Sequence, residues 1–285
     1  MRESIRVKHG EGFFKGVRDA NIYYQCWLPG DDDPRAVLLI VHGLGEHSGR
    51  YMNVVEHFVP LGYAVYGFDH LGHGRSGGTC MHVKQFTDYT EPLQTYSDMV
   101  RGWHPGVPLC LLGHSLGGLI VSYYLLDRQD DLAGAVLSGP SVAVPEGVSP
   151  FTILIGKVLS ALVPKARLVG VVDPMGICCD PQVVEAYVDD PLVHIGRLTA
   201  RLGVESLKAQ QRVEAEAAQI VLPVLIVQGS ADRLVDPAGA QMLYDTIRSR
   251  DKTLKVYDGF HHELHNEPGR AQVLGDVEAW IEAHI

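Results

Sequence analysis

The sequence predicts an α/β fold: a mostly parallel sheet with helices on both faces and one inserted helical segment. Three observations lead there. Short apolar, β-branched runs alternate with segments of helical spacing through the first half of the chain and again near its end. A strand-like run passes through Gly113-His114-Ser115-Leu116-Gly117 into a helical one. Between 142 and 207 the alternation stops, and prolines recur at 145, 150, 164, 174, 181 and 191. At 285 residues the chain can bury a large core, as one α/β domain with an insertion or as two modest domains. The pattern favours the first, with a core from 1–141 and 208–285 and a helical cap from 142–207.

In chain order, residues 12–29 read as an antiparallel hairpin turning at Gly16 and Asp19-Ala20-Asn21, with 22–28 the clearer arm. Residues 36–41 form a continuous apolar run, as expected of a strand covered on both faces, and end at His42-Gly43-Leu44-Gly45. A helix follows at 53–61, then a strand at 63–68 and a glycine-dense loop from His70 to Gly78. Helical spacing covers 87–103. The run at 109–112 is the strand before Ser115, and helical periodicity resumes just after Gly118. Residues 134–138 are a further buried strand, and the insertion shows no strand signal. Strands at 221–228 and 254–257 and a closing helix at 271–285 complete the chain.

Composition narrows the function classes. The formal net charge of −10 argues against nucleic acid, whose phosphates demand a basic surface, and a neutral substrate fits more easily. Five cysteines form no C-x-x-C pattern and leave one over, so a disulfide framework is not expected and a reducing, cytoplasmic setting is. Arg2, Glu3, Arg6, Lys8 and Glu11 precede any apolar block, which is not a signal-peptide layout.

Gly-x-Ser-x-Gly between a strand and a helix is the setting of a nucleophile elbow. Glycines at 113 and 117 permit a cramped turn that lifts the serine hydroxyl out, and the helix behind it supplies unpaired N–H groups and a favourable dipole for an oxyanion. Such a serine needs a base and a carboxylate to orient it. In the α/β-hydrolase arrangement both follow the nucleophile in chain order, at the ends of later strands. The strand ending at 228 is followed by Asp232 and Asp236, of which the first lies nearer its strand and is preferred. After 257 come His261, His262 and His265, and spacing does not separate the first two. For the oxyanion, the amide of Leu116 is one donor and that of Leu44, after the strand 36–41, the other. Metal catalysis is not expected: His262-Glu263-x-His265 and His70-x-x-His73 lack the H-E-x-x-H spacing, and the cysteines form no zinc pattern.

Taken together, His42-Gly43-Leu44-Gly45-Glu46-His47-Ser48-Gly49-Arg50-Tyr51, Asp69-His70-Leu71-Gly72-His73-Gly74-Arg75-Ser76, the Ser115 elbow, Gln228-Gly229-Ser230-Ala231-Asp232-Arg233-Leu234 and Asp251-Lys252-Thr253-Leu254-Lys255-Val256-Tyr257, with His262 and His265, resemble the monoglyceride lipases. The likeness runs from the first hairpin to the last helix. It implies an α/β-hydrolase with Ser115 as nucleophile, Asp232 as acid, His262 as base, Leu44 and Leu116 as oxyanion donors, and no cofactor. It also implies Glu46, Arg50, Tyr187 and His265 at the polar end of the pocket, where a glycerol headgroup sits. Mammalian members carry cysteine near the acid and in the cap. Here Val235 stands at the first position and Cys178-Cys179 falls elsewhere, so thiol-based regulation does not carry over.

The expected reaction is therefore ester hydrolysis of a monoacylglycerol, with a lysophospholipase or broad carboxylesterase as the alternative and a non-catalytic binder of lipophilic ligands as a more distant one. Within the insertion, the run 151–163 opens on Phe151 and closes on Val163. Thr152, Gly156, Lys157 and Ser160 fall on one narrow helical face, and the rest is apolar. It is too short to span a bilayer, and so wide an apolar arc suits a lid that lines an acyl tunnel and touches a lipid surface, or simple packing on the core.

Overall fold

Eight strands form one sheet in the order β1-β2-β4-β3-β5-β6-β9-β10. The computed structural model describes residues 7–30, 33–143, 150–169 and 173–285, with the side chains of 150–154 and 168–169 outside the description. The elements are β1 (Lys8–Lys15), β2 (Asn21–Leu28), β3 (Val37–Val41), α1 (Met52–Phe58), β4 (Ala64–Phe68), α2 (Thr87–Trp103), β5 (Leu109–His114), α3 (Leu116–Leu125) and β6 (Gly134–Ser138). Then come α4 (Pro150–Leu162), β7 (Arg167–Val169), α5 (Pro181–Asp189), β8 (Leu198–Thr199), α6 (Ala200–Glu216), β9 (Val224–Gly229), α7 (Pro237–Thr246), β10 (Lys252–Tyr257) and α8 (Arg270–Glu282). β1 and β2 form an antiparallel hairpin, β2 runs antiparallel to β4, and every further pairing in this sheet is parallel.

The period of two in the central strands divides the core into two layers. Val37, Leu39 and Val41 of β3 point to the side covered by Leu93, Tyr96 and Val100 of α2, Leu119 and Ile120 of α3, and Leu243 of α7. Leu38 and Ile40 point to the other side, against Val54, Val55 and Phe58 of α1 and Val273, Val277 and Ile281 of α8. A strand buried on both faces has no polar row to show, which is why these segments read as unbroken apolar runs.

Several elements differ from their sequence reading; the expected strands at 221–228 and 254–257, for example, are β9 from Val224 to Gly229 and β10 from Lys252 to Tyr257. β1 starts at Lys8, before the expected position 12, because its first half is a mostly exposed edge with glycines at 10 and 12 and no apolar period to read, held by pairing Lys8 with Leu28 and Gly12 with Tyr24. α3 begins at Leu116, before the apolar periodicity is visible, so Gly117 and Gly118 occupy its first turn. A Cβ at Gly117 would lie 1.8 Å from the Val41 carbonyl oxygen, so the glycine answers to a close approach of the helix to β3, which overrides its poor helix propensity. The stretch expected to lack strands contains a short antiparallel ladder, β7 with β8. Strands of three and two residues carry no periodicity to read.

α4 also differs from the amphipathic expectation. Gly156 faces Val204 of α6 and Ser160 is buried, while Ile155, Val158, Leu162 and Val163 are exposed together with Lys157. The small residues are thus the covered face, where they let two helices approach, and the apolar arc looks outward. Thr152 lies outside the described side chains. Position 207 falls inside α6, which runs unbroken from Ala200 to Glu216. Among the described residues no helix is long and apolar enough to cross a membrane.

Gly117→Ala is expected to lower unfolding free energy by at least about 1–3 kcal/mol, because backbone must move to admit the methyl group. Gly102→Ala in α2, which meets nothing within 4 Å, is expected to raise it by about 0.4–1 kcal/mol. Urea unfolding of both variants beside the parent checks the pair.

Candidate active site

Ser115 lies between β5 and α3 with φ 55° and ψ −118°, a conformation that L-residues rarely hold. The surroundings fix it: its N–H donates to the Ser138 carbonyl at 3.0 Å, and its own carbonyl accepts from Ser141 and Leu119 at 3.1 and 3.2 Å. A Cβ on Gly113 would stand 2.6 Å from the Gly117 carbonyl oxygen, so both glycines of the pentapeptide are required by space.

The carboxylate of Asp232, on the loop after β9, faces the ring of His262, on the loop after β10, with Nδ1 2.7 Å from Oδ2. Gln228 Nε2 donates to the same oxygen at 3.0 Å, and the amides of Leu234 and Val235 donate to Oδ1 at 2.9 and 3.0 Å. Burial would raise the Asp232 pKa, but the bond from His262 and these donors outweigh it and hold the group below the usual carboxylate value. An ionised carboxylate on Nδ1 fixes the proton there and leaves Nε2 with its lone pair. The ring of His262 lies 4.6 Å from that of His114, the neighbour of Ser115, and its Nδ1 would be 3.2 Å from a Cβ at Gly139, next to Ser138. All three side chains thus gather where β5, β6, β9 and β10 end. The alternatives fall elsewhere: Asp236 caps α7 by accepting from Ala238 at 2.8 Å, and His261 turns toward Glu267.

Leu44 lies on the loop after β3 and Leu116 at the first position of α3. That loop is held from beneath by Glu46, whose Oε1 accepts from the Gly43 amide at 2.6 Å and from the Tyr51 hydroxyl at 2.7 Å. Its other oxygen accepts from Arg50 at 2.8 Å. Arg50 in turn makes a two-pronged bond to Glu263 at 2.5 and 2.9 Å, and its guanidinium lies 4.5 Å from the ring centre of Tyr187 on α5. Burial disfavours charge on both partners, yet the mutual attraction prevails: the Glu263 pKa is lowered and that of Arg50 raised. Two further contacts bind the insertion to this loop, from His47 Nε2 to Asp190 at 2.9 Å and from the His194 amide to the Gly45 carbonyl at 2.7 Å.

His265 is buried, stacked on Tyr51 at 4.6 Å, and neither ring nitrogen has a hydrogen-bond partner. Residue spacing did not reveal Glu263, Tyr51 or Gln228. Glu263 and Arg50 are 213 positions apart, so no local pattern signals their pairing.

The sequence profile of the family described as serine aminopeptidase, S33, matches residues 32–269. The monoacylglycerol lipase of Mycolicibacterium smegmatis is 40% identical over 285 residues, covering all of both chains. The chain belongs to the monoglyceride lipase family of α/β-hydrolases. The human monoglyceride lipase is 36% identical over 263 residues, 91% of this chain and 86% of that one. Among solved structures, the monoacylglycerol lipase of Paleococcus ferrophilus superposes with a TM-score of 0.82 at 30% identity, covering 98% of this chain and 100% of that one. The monoglyceride lipase resemblance read from the motifs is thus shown, and the serine hydrolase chemistry of the family goes with it.

Five buried histidines set the acid limit of this site. Burial holds His42 well below 6.5, His70, His114 and His265 down at about 3, and His73 at about 4. The rings stay neutral in the folded chain but protonate near 6.5 once unfolded, so their contribution is complete above pH 6.5 and is lost as pH falls toward the folded values. With at least two net protons taken up on unfolding, stability is expected to fall by roughly 3 kcal/mol per pH unit between about pH 6 and 5. Denaturant midpoints measured across pH 7.5 to about 4.5 check the slope, and a flat profile down to about pH 5 contradicts it.

Proposed function

We propose that this chain hydrolyses monoacylglycerols to fatty acid and glycerol through an acyl-enzyme on Ser115. His262 takes the serine proton as Ser115 attacks the ester carbonyl, and Asp232 holds the imidazole and stabilises its charged form. The amides of Leu44 and Leu116 receive the oxyanion, helped by the N-terminus of α3. His262 then protonates the departing glycerol oxygen and activates the water that frees the acid. The observation that carries this reading is the 2.7 Å contact of His262 with Asp232 beside a serine held at φ 55°. No metal enters the mechanism, and no cofactor is needed for acyl transfer to water.

The substrate's polar end belongs with Glu46, Arg50, Tyr187 and His265, in two different capacities. Glu46 and Arg50 already bond to each other and to Gly43, Tyr51 and Glu263, so their work is to hold the oxyanion loop and, through Tyr187, the insertion. His265 has two unpartnered ring nitrogens on a neutral ring, one donor and one acceptor, which suits a glycerol hydroxyl. Residues 142–207 act as the cap over a core built from 1–141 and 208–285. Ile155, Val158, Leu162 and Val163 face outward from it and supply peripheral contact with a lipid surface, from which an amphiphilic substrate is drawn. Five free cysteines suit a reducing, cytoplasmic location.

Ser115→Ala is expected to lower kcat on monooleoylglycerol by at least about 10,000-fold with the circular dichroism spectrum unchanged, and to abolish labelling by a fluorophosphonate probe. Equal or faster turnover of lysophosphatidylcholine by the parent would move the substrate class to lysophospholipids. For the surface contact, the parent is expected to sediment with neutral phosphatidylcholine vesicles and Leu162→Glu to remain in the supernatant. Parent protein left wholly in the supernatant rules the contact out.

A further inference from the structure

The mechanism uses His262 and leaves its neighbour without a role. His261 donates its backbone N–H to Glu267 Oε1 at 3.1 Å, and its ring Nδ1 lies 3.3 Å from the same oxygen without the alignment of a hydrogen bond. Glu267 is only 2% exposed, and among the described residues no lysine or arginine pairs with its carboxylate. Cys179 approaches from the insertion, one residue before the Asp180 cap of α5. Its N–H donates to Oε1 at 3.0 Å and its thiol to Oε2 at 2.8 Å. One ligand atom from each of the three side chains lies within 4.8 Å of the others, and among the described residues no other group of three or more such side chains meets this closely.

A buried carboxylate without a cation, an unpartnered imidazole nitrogen and a thiol aimed at one point make a mixed S, N, O donor set. That set suits zinc better than magnesium or calcium, which prefer oxygen alone. Tetrahedral zinc with bonds of about 2.0–2.3 Å separates its ligand atoms by roughly 3.3–3.7 Å. The observed 3.3 Å (Nδ1 to Oε1) lies at the short end of that spacing and the 2.8 Å (Sγ to Oε2) below it, and the exposed Cys179 can rotate outward to meet it.

We propose that Cys179, His261 and Glu267 form a zinc(II) site that clamps the insertion to the loop bearing His262. On binding, the thiol proton leaves to solvent and Sγ coordinates as thiolate. Glu267 donates a carboxylate oxygen, and His261 donates the Nδ1 lone pair with its proton on Nε2. Water fills the fourth position, and no oxidation state changes. Occupancy ties a residue of the insertion to the neighbour of the base, so it restrains both and slows hydrolysis. This effect on turnover rests on His262 being the base, whereas the binding itself does not.

Metal-free protein titrated with zinc chloride, and separately with cobalt chloride, tests the site without relying on activity. Expected are one equivalent bound, a thiolate-to-cobalt charge-transfer band, a higher Tm with zinc, and slower hydrolysis restored by chelator. Cys179→Ala is expected to keep the metal-free turnover of the parent, lose the charge-transfer band and weaken zinc binding by more than about tenfold. A cobalt complex without that band, or undiminished zinc affinity in Cys179→Ala, overturns the proposal. Cys179-dependent binding with unchanged turnover upholds the metal site and overturns the clamp.

Discussion

The guanidinium of Arg50 joins the three chain segments on which the site depends. It sits between the carboxylates of Glu46 and Glu263 and against the ring of Tyr187. Glu46 holds the loop that carries Leu44, Glu263 adjoins His262, and Tyr187 belongs to the insertion. A cation so enclosed is costly to bury alone, and removing both carboxylates would leave uncompensated charge in a medium that screens it poorly. The loop that carries Leu44, the loop that carries His262 and the insertion therefore keep a common geometry because one desolvated charge has no other place to be satisfied. The fixed contacts also spare the site reorganisation when charge develops on the substrate.

Burial on both faces and close local contacts decide which parts of the molecule are legible in the amino-acid order. β3, β4, β5 and β6 are covered on both faces, so each stands out as an apolar block, and the spacing over 87–103 coincides with α2. The elbow was legible because its glycines are demanded by contacts within a few residues and one neighbouring strand. The start of α3 was not, since there a tertiary approach, Gly117 to Val41, overrides helix propensity. The ladder of β7 and β8 is too short to leave a period.

The histidines show where local reading stops. His261 and His262 have the same composition around them, yet the two adjacent side chains reach different partners. One meets Asp232 and the other Glu267. Which is which follows from how β9 and β10 pair, from Lys252 opposite Val224 to Tyr257 opposite Gly229, and no stretch of sequence around 261 contains that information. The family resemblance chose His262, and the geometry supplies the physical ground for separating the two.

β6 pairs directly with β9, so the whole excursion between them leaves the sheet and returns to the adjacent row without adding a strand. Lengthening, shortening or replacing that excursion changes no hydrogen-bond register in the scaffold. Evolution can therefore vary that excursion as a module while the groups at the strand ends inherit an unaltered frame, and divergence among descendants of one ancestor should concentrate in the excursion and leave the strand-end groups alone.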